Sequence, residues 1–217
     1  MRTRIPKLLH YCWFGDGPKS ECVRACMASW NTGVFADWEL IEWNGTNTDL
    51  DFADARDARQ AGSWAMIADF ARLQAIYSFG GVYLDTDVQV LRPFDALLDH
   101  ECFLGFQVAK EEDDWVNNAV LGARPGHRFA GPCLEFTLVY RAIYREFARS
   151  PAVTTAVLRG FGLDEYGYVV LRDGVTVYPK DAFYPYSWRE QFCDECVRPT
   201  TYSVHHWEGS WKRNRQG

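Results

Sequence analysis

The alternation of apolar and polar positions predicts strands and helices in turn along the first part of the chain. An apolar run from Ile5 to Phe14 stops at a Gly-Asp-Gly-Pro turn, which is typical of a buried first strand. Residues 20–31 have a helical pattern, and the alternating segment 38–43 ends at an Asn-Gly turn. These segments predict the order strand, helix, strand.

The longest helical pattern runs from about Ala58 to Phe79. Apolar residues occupy two sides of it, so we expect this helix to be buried. A Gly-Gly pair ends the helix, because glycine readily adopts the left-handed conformation that closes a helix. The short apolar segment 82–84 then predicts an internal strand, with Asp85 and Asp87 at its end.

The second part of the chain continues the alternation. We expect strands at 88–91 (continuing the strand before it), 103–108 and 116–123, a helix at 134–149, a hairpin at 169–178 and a last strand at 202–207, before a basic tail at 212–215. Strands that alternate with helices in this way favour an α/β fold, and we expect one domain over residues 1–217.

Composition narrows the class of protein. With 217 residues, 47% of them hydrophobic, the chain can bury a full core. Its net charge of -6 argues against a nucleic-acid partner, because phosphate binding needs clustered Lys and Arg. The N-terminus lacks the apolar stretch of a signal peptide, and no run of about 18 apolar residues occurs. We therefore expect a cytoplasmic protein, whose basic tail can contact the inner face of the membrane peripherally.

The seven cysteines favour reduced, mostly buried thiols, since an odd count in a chain of this length does not fit a disulfide scaffold. An alternative remains open. Cys22 and Cys26, together with Cys193 and Cys196, have spacings that a four-thiolate zinc site can use.

Asp85 and Asp87 are the centre of the functional prediction. Two carboxylates one residue apart at the end of a buried strand need a cation, because apolar neighbours cannot stabilise their charge. Carboxylate oxygens select Mg²⁺ or Mn²⁺, and such an ion completes its shell with substrate phosphates. A lone D-x-D also occurs in solvated turns, but the buried helix and Gly-Gly pair before it favour a metal site.

Two further groups of residues have both a structural and a functional interpretation. Asp69 and Arg72 lie three residues apart, so they project from one helix face as a structural ion pair or as ligands for sugar hydroxyls. The segment 205–211 contains two histidines, a carboxylate, a hydroxyl and two indoles. One histidine there is either a third metal ligand or a buried core residue.

Three blocks of the sequence resemble family 32 of the glycosyltransferases, which contain a DXD motif. These blocks are residues 5–15, residues 68–88 with the motif Asp85-Thr86-Asp87, and residues 205–211 with the pattern His-His-x-x-x-Ser-Trp. The family includes bacterial capsular and cell-surface polysaccharide transferases and is related to the glucosylating clostridial toxins. The resemblance implies a GT-A fold, a Rossmann-like α/β domain with a mostly parallel mixed sheet, and transfer with retention of anomeric configuration.

The resemblance also implies substrates and residue roles. A UDP-sugar, or less readily a GDP-sugar, would donate a hexose or N-acetylhexosamine to a glycan or lipid-linked acceptor in surface polysaccharide synthesis, with Mn²⁺ or Mg²⁺ as cofactor. The implied donor site comprises Trp13, Phe14, Asp69, Arg72, Tyr83, Asp85, Asn118, Ser210 and Trp211. The implied metal ligands are Asp85, Asp87 and His205, with His205 preferred to His206.

Two rival functions use the same residues. In a haloacid-dehalogenase-like phosphatase, Asp85 would be the nucleophile and Asp87 the acid and base. A catalytically inactive sugar-binding protein would instead stack some of its nine tryptophans on sugar faces.

Overall fold

The elements of the fold alternate between strands and helices, as the sequence predicts. A computed structural model of the chain describes residues 5–15, 17–49, 56, 58, 64–144 and 148–209. The helices in these ranges are α1 (Glu21–Trp30), α2 (Trp64–Phe79), α3 (Ala130–Tyr144), α4 (Ser150–Gly160) and α5 (Lys180–Phe183). The strands are β1 (Leu8–Cys12), β2 (Glu39–Trp43), β3 (Gly81–Leu84), β4 (Val88–Val90), β5 (Cys102–Phe106), β6 (Val116–Ala123), β7 (Val169–Val170), β8 (Val175–Tyr178) and β9 (Ser203–His205).

Seven of the described strands form one sheet in the order β2-β1-β3-β6-β5-β8-β7, and β4 pairs with β9 in a separate ribbon. β1 is parallel to β2 and β3, and β5 is parallel to β8. β6 is antiparallel to both β3 and β5, and β7 is antiparallel to β8. The sheet of the described residues is therefore evenly mixed, and the expectation of a mostly parallel sheet was wrong in this respect. Antiparallel neighbours need no crossover helix, so the loops before β6 and β8 can be short.

Apolar cores cover both faces of the sheet. One core joins the sheet to α2, α3 and α4 through side chains such as Ile76 and Phe129. The other joins it to α1 and the following segments through side chains such as Trp30 and Phe94. Successive residues of β3 alternate between the two cores, and all four are buried. The strand that precedes Asp85 is therefore fixed on both faces.

α2 and the glycines after it set the position of β3. Gly80 has a φ of 65°, and its N–H donates to the carbonyl of Ile76 (2.9 Å), which confirms the predicted glycine cap. The prediction that α2 is buried is confirmed for the side that contains Ile67, Ala71 and Ile76, whereas Tyr77 and Phe79 are 47% and 49% exposed. Only one side of α2 packs on the sheet and α3. Residues 59–63 of the predicted helix lie outside the described residues.

The sequence predicts that residues 88–91 continue β3, but they do not. The chain turns at Asp85, whose carbonyl accepts a hydrogen bond from Val88 N–H (3.0 Å), and β4 then pairs with β9. The predicted hairpin at 169–178 is confirmed, because β7 and β8 are antiparallel on either side of Asp173, which has a φ of 58°.

The helix predicted at 134–149 has other bounds. α3 begins earlier, at Ala130, is described to Tyr144, and is followed by the separate helix α4, which the sequence analysis missed. Pro151 lies in the first turn of α4, where its missing N–H costs nothing. The basic tail at 212–215 lies outside the described residues. Within the described ranges, no helix has the length and apolar character needed to cross a membrane.

Candidate functional site

Asp85 stands at the carboxyl end of β3, next to the carboxyl end of the parallel strand β1. In open α/β sheets, ligands bind at this edge of the strands. The N–H of Asp85 donates to the carbonyl of Ala119 (2.9 Å), which ties the turn to β6. The sheet therefore fixes the backbone of the first DXD carboxylate.

The ribbon of β4 and β9 brings His205 to Asp87. Val88 pairs with His205 in this ribbon, and His205 Nε2 lies 3.1 Å from Asp87 Oδ1. The other oxygen, Asp87 Oδ2, accepts a hydrogen bond from the N–H of Glu208 (2.9 Å). His206 turns away, with its Nε2 at 2.9 Å from Gln89 Oε1. Of the two adjacent histidines, His205 is thus the one that faces the carboxylates.

Asp85, Asp87 and His205 fit a divalent cation. One ligand atom of each lies within 4.8 Å of the others, and no other such group of three His, Cys, Asp or Glu occurs among the described residues. His205 Nδ1 is buried and has no hydrogen-bond partner. Carboxylates suit Mg²⁺ and Mn²⁺, and an added imidazole favours the softer Mn²⁺. The four-thiolate alternative does not form in the described part of the chain.

Burial raises the pKa of the Asp87 carboxyl, but His205 and the backbone hydrogen bond from Glu208 together outweigh burial and lower the pKa. The same contact acts on His205, where burial lowers the pKa of the imidazole and Asp87 raises it above its ordinary value. The free site therefore favours a carboxylate next to an imidazolium. A metal that binds His205 must displace the proton from the imidazole.

Arg72 connects the carboxylates of the site. Its Nη2 lies 2.9 Å from Asp69 Oδ1 and 3.0 Å from Asp85 Oδ1, and its side chain is only 7% exposed. The guanidinium also lies over the ring of Tyr83, 4.6 Å from the ring centroid, and Tyr83 Oη donates to Asp85 Oδ1 (2.9 Å). The predicted pairing of Asp69 with Arg72 is confirmed, and Asp85 is part of the same cluster.

Burial raises the pKa of the Asp69 carboxyl to about 6, although Arg72 opposes the shift. Asp85 adds to the increase, because its negative charge disfavours a second carboxylate nearby. For the Arg72 guanidinium, burial lowers the pKa, but Asp85 and the other negative groups outweigh burial and raise it. Arg72 is therefore a fixed positive charge at the site.

Asn118 reaches the site through an irregularity in the sheet. The pairing of β5 with β6 shifts register between Phe103 and Gly105, which leaves extra residues on β6. The bulge turns Asn118 toward Arg72, whose Nη1 donates to Asn118 Oδ1 (3.0 Å). Ser150 Oγ donates to the same oxygen (3.0 Å). Ser150 was not among the predicted site residues, although its place before a proline is a helix-start signal.

The remaining predicted donor-site residues have different outcomes. Trp13 follows β1, and Lys19 Nζ lies 4.6 Å from the centroid of its ring. Phe14 is buried in the apolar core that also contains Tyr83. Ser210 and Trp211 lie outside the described residues. The donor contacts of these residues stay predictions.

Comparisons with known proteins bear on the same part of the chain. Residues 20–104, which include the DXD motif, match a family model described as "Glycosyltransferase sugar-binding region containing DXD motif". The chain is 27% identical over 186 residues to a Lactosylceramide 4-alpha-galactosyltransferase of Mus musculus, covering 80% of this chain and 47% of that protein. It is 33% identical over 134 residues to a human Alpha-1,4-N-acetylglucosaminyltransferase, covering 59% of this chain and 36% of that protein. The chain thus spans less than half the length of these relatives, and both come from animals.

The fold also has a solved counterpart. The structure titled "PaToxG Glycosyltransferase" matches with a TM-score of 0.57 at 15% identity, over 73% of this chain and 70% of that one. At this identity the similarity concerns the fold alone. Together with the mixed sheet and its flanking helices, it confirms the predicted GT-A architecture.

Proposed function

We propose that this chain is one of the glycosyltransferases whose sugar-binding region contains a DXD motif, and that it transfers a hexose or N-acetylhexosamine from a nucleotide-sugar in a metal-dependent reaction. The observation that carries the proposal is the convergence of Asp85, Asp87 and His205 from distant parts of the chain. We propose a UDP-sugar as donor, since galactose and N-acetylglucosamine, which the names of the two relatives mention, are commonly activated as UDP derivatives.

Asp85, Asp87 and His205 would hold Mn²⁺ or Mg²⁺. The ion would supply Lewis-acid neutralisation of the negative charge that develops on the departing diphosphate. The chain's own residues orient the donor. Arg72 is a fixed positive charge that pairs with the metal ligand Asp85 and with Asp69, and in this proposal Arg72 and Asp69 hydrogen-bond sugar hydroxyls. Asn118 is proposed to contact the sugar from the bulge of β6.

We propose that the reaction retains the anomeric configuration. Both relatives are named as alpha-transferases, and UDP-activated galactose and N-acetylglucosamine carry the α configuration, so an α product implies retention. The carboxylates described at the site are engaged by Arg72 or by His205, which leaves none of them poised as a covalent nucleophile. These contacts favour departure and attack on the same face of the sugar. They also disfavour the rival phosphatase, in which Asp85 would have to attack phosphorus.

The acceptor in this proposal is a glycan or a lipid-linked oligosaccharide. The name of the mouse relative contains a glycolipid, lactosylceramide, which supports an acceptor of carbohydrate on lipid. Neither animal relative supports the narrower expectation of bacterial surface polysaccharide synthesis. The cytoplasmic location and the peripheral membrane contact stay predictions.

The proposal is tested with a panel of UDP- and GDP-sugars incubated with the protein and Mn²⁺, with nucleotide release as the measured quantity. We expect release from one donor, stopped by EDTA and by the double substitution Asp85→Ala, Asp87→Ala. His206→Ala is the matched control, because its side chain contacts Gln89 instead of the carboxylates. Binding of a donor without release would favour the inactive sugar-binding protein. Hydrolysis of a phosphomonoester without donor turnover would favour the phosphatase.

A further inference from the structure

Tyr184 lies between two parts of the candidate metal site, the bulge of β6 that contacts Asp85 and the segment around His205. It follows α5, and its side chain is fully buried. We propose that Tyr184 is a positioning residue that fixes the metal ligands Asp85 and His205 relative to each other. This inference rests on the proposed metal-dependent function.

The phenol oxygen of Tyr184 closes the bulge of β6. It accepts a hydrogen bond from the N–H of Val120 (2.8 Å) and donates one to the carbonyl of Asn117 (3.4 Å). These two partners flank Asn118 and Ala119, so one hydroxyl holds both ends of the irregular segment. A β-bulge loses ladder hydrogen bonds, and its conformation therefore depends on such side-chain contacts.

The bulge in turn positions Asp85 by two routes. The carbonyl of Ala119 accepts a hydrogen bond from the N–H of Asp85 (2.9 Å). Asn118 Oδ1 accepts one from Arg72 (3.0 Å), and Arg72 pairs with Asp85 (3.0 Å). A shift of the bulge is therefore transmitted to the backbone and to the carboxylate of the same metal ligand.

The ring of Tyr184 packs against the other half of the site. Its centroid lies 6.0 Å from the ring of His205 and 6.0 Å from the ring of Trp207. The rings of His205 and Trp207 are themselves 4.0 Å apart, and Trp207 has a strained φ of 54°. The indole N–H of Trp207 donates to the carbonyl of Tyr186 (3.1 Å), two residues from Tyr184. The segment around Tyr184 thus supports the turn that follows β9.

Tyr184→Phe removes only the hydroxyl and leaves the ring. The N–H of Val120 then loses its partner in a buried place, so the bulge must rearrange to satisfy it. Residues that orient metal ligands through hydrogen bonds typically change metal affinity or activity 10–100-fold when substituted. We expect the dissociation constant for Mn²⁺ to rise roughly tenfold in Tyr184→Phe.

The test is a Mn²⁺ titration of the whole chain, with free Mn²⁺ measured by electron paramagnetic resonance. Tyr178→Phe is the matched control, because Tyr178 also bonds through its hydroxyl, to His100 Nε2 (2.7 Å), but does not contact the site. We expect both variants to melt at lower temperature than the wild type and only Tyr184→Phe to lose Mn²⁺ affinity. A purely structural role for Tyr184 would lower the melting temperature and leave the affinity unchanged.

The outcomes separate this inference from the proposed function. If the wild type binds Mn²⁺ and Tyr184→Phe binds it equally well, the positioning role is refuted and the proposed function stands. If the wild type binds neither Mn²⁺ nor Mg²⁺, with or without UDP, both are refuted.

Hydrogen exchange of the wild type provides a second test, which needs no substituted protein. Addition of Mn²⁺ should slow exchange in residues 117–121 together with residues 203–208. Slowing confined to 203–208 would contradict a link through Tyr184.

Discussion

Arg72→Met should destabilise the free protein substantially, because Arg72 is the buried partner of two carboxylates. Its Nη2 lies 2.9 Å from Asp69 Oδ1 and 3.0 Å from Asp85 Oδ1, while Nη1 donates to Asn118 Oδ1 at 3.0 Å. Methionine keeps much of the stem volume and removes the charge and the hydrogen bonds. Asp69 and Asp85 then lie close together with no counter-charge.

The magnitude follows from burial. Removing one partner of a buried ion pair costs about 3–5 kcal/mol, because a charge is left in a poorly solvated place. The side chains of Asp69 and Asp85 are 27% and 24% exposed, so water relieves part of this cost. We expect a loss near the lower limit, about 3 kcal/mol in the free energy of unfolding. With a urea m-value of about 2–3 kcal/mol per M, the midpoint of unfolding should fall by roughly 1 M.

The assay is urea unfolding in EDTA, followed by far-ultraviolet circular dichroism. Arg189→Met is the matched control, since Arg189 forms a bidentate pair with Glu112 (2.8 and 2.9 Å) but its side chain is 50% exposed. Its midpoint should fall far less, because Arg189 is half exposed and Glu112 keeps the positive charges of Lys110 and Arg149 nearby when the pair is lost. Equal shifts in the two variants would refute the argument that burial of Arg72 makes its ion pairs important for stability.

Three more predictions concern positions around the site. His10 is buried and neutral, with Nε2–H donating to the carbonyl of Gly80 (2.8 Å), and burial lowers its pKa below 6.5. The unfolded state therefore takes up a proton at position 10 first as pH falls below about 6.5, so His10 lowers the free energy of unfolding from pH 7.5 to 5.5, and the difference in this free energy between wild type and His10→Gln should shift against the wild type over that range. Tyr83→Phe should weaken Mn²⁺ binding roughly tenfold by calorimetry, because the hydroxyl donates to Asp85 (2.9 Å). Gly81→Ala should lose about 2–4 kcal/mol of stability in urea unfolding, because Gly81 has a φ of 101° and a Cβ would lie 2.6 Å from the carbonyl oxygen of Leu8.

Each of these predictions has a result that would contradict it. For His10, the prediction fails if the slope against pH is the same in the wild type and in His10→Gln. Unchanged Mn²⁺ affinity in Tyr83→Phe would mean that the hydroxyl does not orient Asp85. Gly45→Ala is the control for Gly81→Ala, because a Cβ at Gly45 has no atom within 4 Å, and equal stability of the two variants would show that the close approach of β1 and β3 is not needed.

The local features of the DXD segment were predictable from sequence. A Gly-Gly pair after a long helix, followed by a short apolar run, predicts both the cap at Gly80 and the strand β3 that ends at Asp85. The pairing of Asp69 with Arg72 follows from their spacing on one helix. These features depend on residues close together in the chain.

Contacts between distant segments were not predictable in the same way. The ribbon of β4 and β9 joins Asp87 to a histidine 118 residues later, and no local pattern shows that β4 leaves the main sheet. Strand direction is likewise absent from the pattern of a single strand, so the even mixture of parallel and antiparallel pairs was missed. Tyr184 resembles any buried aromatic residue in sequence, and its role exists only once the bulge of β6 and the turn after β9 pack around it.

The central claim is that His205, Asp85 and Asp87 together hold a metal ion that binds the diphosphate of a nucleotide-sugar. The most direct test is a Mn²⁺ titration of His205→Ala and His206→Ala in the presence of UDP. The two substitutions are adjacent and chemically identical, and only His205 faces Asp87. The account predicts that His205→Ala loses most of the Mn²⁺ affinity, together with Mn²⁺-dependent UDP binding, and that His206→Ala keeps both. Equal Mn²⁺ affinity in the two variants, or a loss only in His206→Ala, would contradict it.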